Sequence, residues 1–217
     1  APQIQAEQDL VTGPVPLTPI QHWFFAQDFA RPHHVNQSLL LDVDAEVTTE
    51  QWQQILRKLL EQHDGLRTRF VRQDGTWQAE LTDLPPELPW RTHDLSTIPA
   101  HERHQRLLEI AGKTQSSMNL AEPPLIRAAL FTGVDERGPR LLLAAHHLVI
   151  DVVSWRVLLE DLGTLVEQAR GGQEPQLPAK SSSWRQWAER LRQEAATTTT
   201  LDELTYWHEQ TQATHPL

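Results

Sequence analysis

The sequence predicts an α/β fold, a sandwich lobe in which helices pack on a mixed β-sheet. Three observations predict it. Stretches with apolar residues at helical spacing, such as Trp52, Ile55, Leu56, Leu59 and Leu60, alternate with apolar runs of strand length. Asp74-Gly75 stands between two short strand-like stretches and is a hairpin signal. At 217 residues the chain is long enough to bury a real core.

In chain order, residues 1–15 carry Pro2, Gly13 and Pro14 with little periodicity and read as a linker. Thr18 is placed to cap a helix, with Pro19 in its first turn and Gln21 completing a capping box. Trp23, Phe24 and Ala30 give that helix its apolar face. Residues 37–43 read as a buried strand by their leucine run, not by alternation. Thr48 and Gln51 form a second capping box, and Gly65 reads as the stop of the helix they open. Residues 66–72 and 76–81 form the hairpin. Pro85, Pro86 and Pro89 mark a loop, and a polar helix spans about 100–118. Residues 125–134 and 140–146 read as two adjacent strands. Ser154 is the expected cap of a helix through Val157, Leu158, Leu162 and Leu165, ended by Gly171-Gly172. A further helix covers about 183–195, and Thr200 with Glu203 restarts helix after a threonine-rich linker.

Composition excludes several function classes. The formal net charge of −10 argues against nucleic acid and against an anionic membrane surface. No apolar run approaches the roughly 20 residues needed to span a bilayer. The opening APQIQAEQDL has no basic-then-apolar pattern, and with no cysteine there is no disulfide, thiolate nucleophile or cysteine metal site. The expected location is cytoplasmic.

The chemistry concentrates in RLLLAAHHLVIDVVSW. Side chains alternate faces along a strand, so His146 and His147 at a strand end cannot share one environment. One can face a cavity as a lone general base while the other packs inward. Two ordinary histidines where a strand surfaces would look the same. Ser154 lacks a Gly-x-Ser-x-Gly elbow and reads as a cap, not a nucleophile. His101 and His104 sit at i, i+3 spacing and read as a solvated helix face, so no metal site is expected. Trp23, Trp52, Trp155 and Trp187 fall on apolar helical faces and read as core.

Several segments together carry a resemblance. His146-His147-Leu148-Val149-Ile150-Asp151 resembles the HHxxxDG signature of the condensation-domain superfamily of nonribosomal peptide synthetases. The extension Ser154-Trp155-Arg156 and the opening Pro16–Phe25, PLTPIQHWFF, resemble the epimerization branch. Asn36-Gln37-Ser38 before three leucines, His63–Phe70, Ser183–Ala188 and Tyr206-Trp207 match further landmarks in the same order, over nearly the whole chain.

The resemblance implies a chloramphenicol-acetyltransferase-like lobe and L-to-D conversion at the α-carbon of a carrier-bound aminoacyl or peptidyl thioester. It implies that residues 16–217 are the N-terminal lobe of a two-lobed domain, that a peptidyl carrier domain precedes residues 1–15, and that the C-terminal lobe, with the second acid-base carboxylate, lies outside this chain. The lobe alone is expected to be inactive. No cofactor is expected to bind directly; 4'-phosphopantetheine would arrive on the carrier. By resemblance His147 is the base and His146 its packing partner, and Asp151 is buried in a salt bridge to Arg67. Val152 stands where the family has glycine; its side chain either narrows the pantetheine channel or is tolerated on an extended local backbone. Ser154 and Trp155 lie at the channel and helix N-terminus. The rival readings are a condensation domain forming peptide bonds and a non-catalytic lobe that docks a carrier.

Overall fold

The computed structural model describes residues 6–212. Its elements run β1 (Gly13–Val15), α1 (Pro19–Ala26), β2 (Asn36–Asp42), α2 (Thr49–Gln62), β3 (Thr68–Gln73), β4 (Thr76–Leu81), β5 (Trp90–Asp94), α3 (Ala100–Ser116), β6 (Ile126–Thr132), β7 (Arg140–His146), α4 (Val152–Arg170), α5 (Trp184–Ala195) and α6 (Thr198–Gln212).

Two sheets result. The larger is mixed, in the order β2-β7-β6-β5, with β5 and β6 parallel and the other pairs antiparallel. Strand β7 is buried at every position, as its unbroken Leu-Leu-Leu-Ala-Ala run requires of a central strand covered on both faces. Alternation then sorts the side chains. Leu141, Leu143 and Ala145 join Ile126, Ala128 and Leu130 against α2 and α4, through Ile55, Leu59, Leu158 and Leu165. Leu142, Ala129 and Phe131 face the other way, against Leu107 and Ala111 of α3. The smaller sheet, β1-β4-β3, packs Phe70, Ala79 and Leu81 against Phe24 of α1 and Ala188 of α5.

Local signals behave as their chemistry dictates. The Thr48 hydroxyl accepts from the Gln51 N–H, and the Gln51 side chain accepts from Thr48 N–H at 2.8 Å. Asp74 and Gly75 both take positive φ, 49° and 81°, which the tight β3–β4 turn demands.

Five expectations are corrected. The stretch expected as a linker is built into the body over residues 6–15: Val11 and Val15 are buried, and β1 pairs with β4. Strand β2 is an edge strand whose exposure alternates, with Leu40 45% exposed, so its leucine run does not mark burial on both faces. Trp23 is 55% exposed, and Phe24 alone of that pair enters the core. The α2 helix ends at Gln62, and Gly65 lies in a following 3-10 turn, Asp64–Arg67. The last helix begins at Thr198, where the Thr197 hydroxyl accepts from the Thr200 N–H at 3.3 Å. No helix among the described residues is long and apolar enough to cross a membrane.

Candidate functional site

The site is the corner where β7 runs out and α4 begins. His146 is the last residue of β7 and is fully buried. Its Nε2 lies 2.7 Å from the Pro32 carbonyl and its Nδ1 lies 3.1 Å from the Leu148 N–H. A carbonyl only accepts and an amide only donates, so the proton sits on Nε2 and Nδ1 accepts. Phe24 meets the ring edge-on at 5.7 Å. Burial, set against the Pro32 hydrogen bond, pushes His146 down to about 4. It is therefore a neutral pillar, with both nitrogens occupied.

His147 is one residue on and exposed. Its backbone N–H donates to Val35 at 2.8 Å, which ties the corner to the start of β2. Its Nδ1 lies 2.9 Å from the Ile150 carbonyl, and its Nε2 lies 3.1 Å from the side-chain nitrogen of Gln37. Gln37 in turn accepts at its oxygen from the Trp155 indole N–H, 2.9 Å away. The Gln21 side chain, reaching from α1, donates to the Leu148 carbonyl at 3.1 Å and braces the same turn. His147 contributes in turn to the lowering of both Asp151 and His146.

Asp151 is exposed and caps α4: its Oδ1 accepts from both the Ser154 N–H and the Ser154 hydroxyl, each at 2.7 Å. Those two bonds hold its carboxyl below the usual aspartate range. The cap is thus Asp151, not Ser154; the helix starts three residues earlier than expected. Val152 is the first helical residue and is 76% exposed. Helical backbone suits valine, so no positive φ calls for glycine there. An open groove of about 830 Å³ runs beside this corner, lined by Gln37, Leu39, Val152, Trp155, Arg156 and Glu160. A second groove, about 660 Å³ between β5 and α3, shares no lining residue with the histidine corner.

The expected Arg67–Asp151 pair does not form. Arg67 is fully buried, and its guanidinium donates to Asp64 at 2.8 Å, to the Leu60 carbonyl at 2.8 Å and to the Val11 and Thr82 carbonyls. Lys180 adds a second cation to Asp64 at 3.0 Å. Burial pulls the Arg67 pKa down from its usual range and Asp64 opposes that pull. The reason for the correction is local: Asp64, three residues before Arg67, reaches it within one turn, so Asp151 is left to cap its own helix. His146, His147, Asp151, Ser154 and Trp155 do come together; Arg67 belongs to a separate corner. Gln37 is the functional residue that sequence reasoning missed. It stands inside a recognised motif but shows no local signal, because its contacts are made 110 and 118 residues away.

The described residues contain no group of three His, Cys, Asp or Glu placed to hold a metal.

The chain is 45% identical to one of the linear gramicidin synthase proteins of Brevibacillus parabrevis over 218 aligned residues, all of this chain but 3% of that protein. It superposes on the epimerization domain from the third module of tyrocidine synthetase B with a TM-score of 0.87 and 37% identity, covering 98% of this chain and 48% of that one. The first condensation domain of the calcium-dependent antibiotic synthetase shares the fold, with a TM-score of 0.77 at 21% identity over 94% of this chain and 49% of that one. The chain thus spans about half of these solved domains and a small part of the gramicidin synthase protein. Residues 11–217 match the family described as Condensation domain, and the chain belongs to that family.

Proposed function

We propose that the chain is the N-terminal lobe of a nonribosomal peptide synthetase epimerization domain, with His147 the acid-base residue on one face of the substrate α-carbon. The observation that carries this reading is the contrast within the histidine pair. His146 has both nitrogens sealed in protein, whereas His147 is exposed beside an open groove with Nε2 unprotonated. An imidazole in that state can accept the α-proton of a thioester-bound residue. The Cα–H bond breaks, its electron pair moves into the thioester as an enolate, and the proton goes to Nε2. Return of a proton from the opposite face inverts the centre. That proton would come from a protonated carboxyl group on a second lobe, left as its carboxylate, and the substrate would be carried on the 4'-phosphopantetheine of a peptidyl carrier domain. The higher identity and TM-score to an epimerization domain than to a condensation domain support the branch. Val152 at the groove would trim the channel by its side chain alone.

The test uses an L-aminoacyl carrier in heavy water, with this chain alone, with this chain plus a C-terminal lobe, and with His147→Ala in that pair. Deuterium uptake at Cα and D-product are expected only with both lobes, and should fall roughly 10²–10⁴-fold in the variant. Peptide-bond formation with an added acceptor, and no deuterium uptake, would place the chain in the condensation branch. Carrier binding without either reaction would make it a docking lobe.

A further inference from the structure

We infer that Gln37 is a positioning residue for His147: oriented by Trp155, it fixes which imidazole nitrogen is basic and covers that nitrogen in the resting state. Both ends of the relay are chemically one-way. An indole N–H can only donate, so the atom of Gln37 facing Trp155 at 2.9 Å is its oxygen. The carboxamide NH₂ is then the group 3.1 Å from His147 Nε2. An NH₂ can only donate, so Nε2 accepts and carries no proton. At the far side a backbone carbonyl, Ile150, can only accept, so Nδ1 at 2.9 Å carries the proton. Four groups from three segments, β2, the β7–α4 turn and α4, thus agree on one tautomer. The adjacent His146 is held in the opposite one.

Two consequences follow. The lone pair that would take a proton is the lone pair Gln37 covers, so a substrate must displace the carboxamide to reach it. Once Nε2 is protonated it faces a second donor, and the carboxamide must turn its oxygen to the ring, giving up Trp155. Gln37 therefore has one arrangement for each protonation state of His147. The charged groups around the relay are Asp151 at the head of α4, and Arg156 and Glu160 on the groove wall; His146 stands behind it.

The test is ¹⁵N NMR of the His147 ring in the full chain at pH 8, assigned by its disappearance in His147→Gln. In the parent, Nδ1 should resonate as a protonated nitrogen and Nε2 as an unprotonated one. In Gln37→Glu the carboxylate only accepts: one oxygen keeps Trp155 and the other calls for a proton on Nε2, so both nitrogens should resonate as protonated. Trp155→Phe removes the orienting donor, and Nε2 should move part of the way in the same direction; this variant stands in if Gln37→Glu does not fold. A protonated Nε2 in the parent, or parent-like shifts in both folded variants, would overturn the inference. Its effect on turnover rests on the epimerization reading: with a second lobe, Gln37→Glu should slow deuterium uptake at least about 100-fold, as for a lost general base. NMR shifts as expected with no epimerase activity in the parent would sink the functional reading and leave the role of Gln37 intact.

Discussion

Two corners of this molecule join a strand to a helix, and they use polar groups in opposite ways. Between α2 and β3, Asp64, Arg67 and Lys180 form a charged cluster from which water is excluded, with side-chain exposures of 2%, 0% and 7%. Between β7 and α4, the exposed groups His147 and Asp151 are each held by two directional hydrogen bonds, and only His146 is buried. A buried ion pair must stay together, because either charge left alone in low dielectric is costly. Exposed side chains held by hydrogen bonds carry no such cost, since water remains in reach of them. The molecule thus separates a buried ionic cluster from an exposed, hydrogen-bonded one that carries the proposed acid-base residue.

The largest expected effect is at the first corner. Arg67→Ala removes the guanidinium from Asp64 and strips hydrogen bonds from the Leu60, Val11 and Thr82 carbonyls. Loss of one member of a buried pair costs roughly 3–5 kcal/mol. Denaturant midpoints measure it, and a loss no larger than that of Asp151→Ala would collapse the distinction between the corners.

His146 gives an effect of intermediate size and a definite sign. Its folded value is about 4, below the ordinary 6.5, so the unfolded chain binds this proton more tightly. The stabilisation is complete above about pH 6.5 and is lost as pH falls toward 4, up to about 3 kcal/mol from this group. His146→Gln keeps a donor and an acceptor but does not titrate. Its stability should fall less steeply than the parent's over that interval, and parallel curves would falsify the assignment of His146 as the neutral pillar.

The smallest effect belongs to Asp151→Ala. An exposed N-cap lost to alanine costs about 1 kcal/mol. A melting-temperature shift equal to that of Arg67→Ala would restore the buried role expected from the sequence and break the contrast.

What is legible in the sequence depends on how far the deciding contact reaches. The cap at Thr48 and the turn at Asp74-Gly75 are settled within four residues, and their residue types announce them. Strands β1 and β5 are not legible. Gly-Pro-Val and Trp-Arg-Thr-His-Asp carry no strong strand pattern, and they become strands by pairing with β4 and β6. At the site, the different surroundings of His146 and His147 are readable, although the strand ends at His146 and His147 lies in the turn that follows. The partner of Arg67 is not readable, because the resemblance points to Asp151 while the nearby Asp64, only three residues away, takes the guanidinium at 2.8 Å. The cap of α4 is ambiguous because Asp151 and Ser154 are both good caps, three residues apart, and which one takes the role depends on where the helix begins.

The register of β2 on β7 sets the order in which the site can exist during synthesis. Strand β2 ends at Asp42, and Arg140, which opens β7 and pairs with Asp42, follows it by 98 positions in the chain. At about 5–20 residues per second a ribosome needs roughly 5–20 s to make that stretch. For that interval Leu39, Leu40 and Leu41 have no strand to join, and Gln37 has neither His147 nor Trp155. The histidine corner is thus assembled only after β7 and the head of α4 have been made, and until then the leucine-rich β2 lacks its native partner strand.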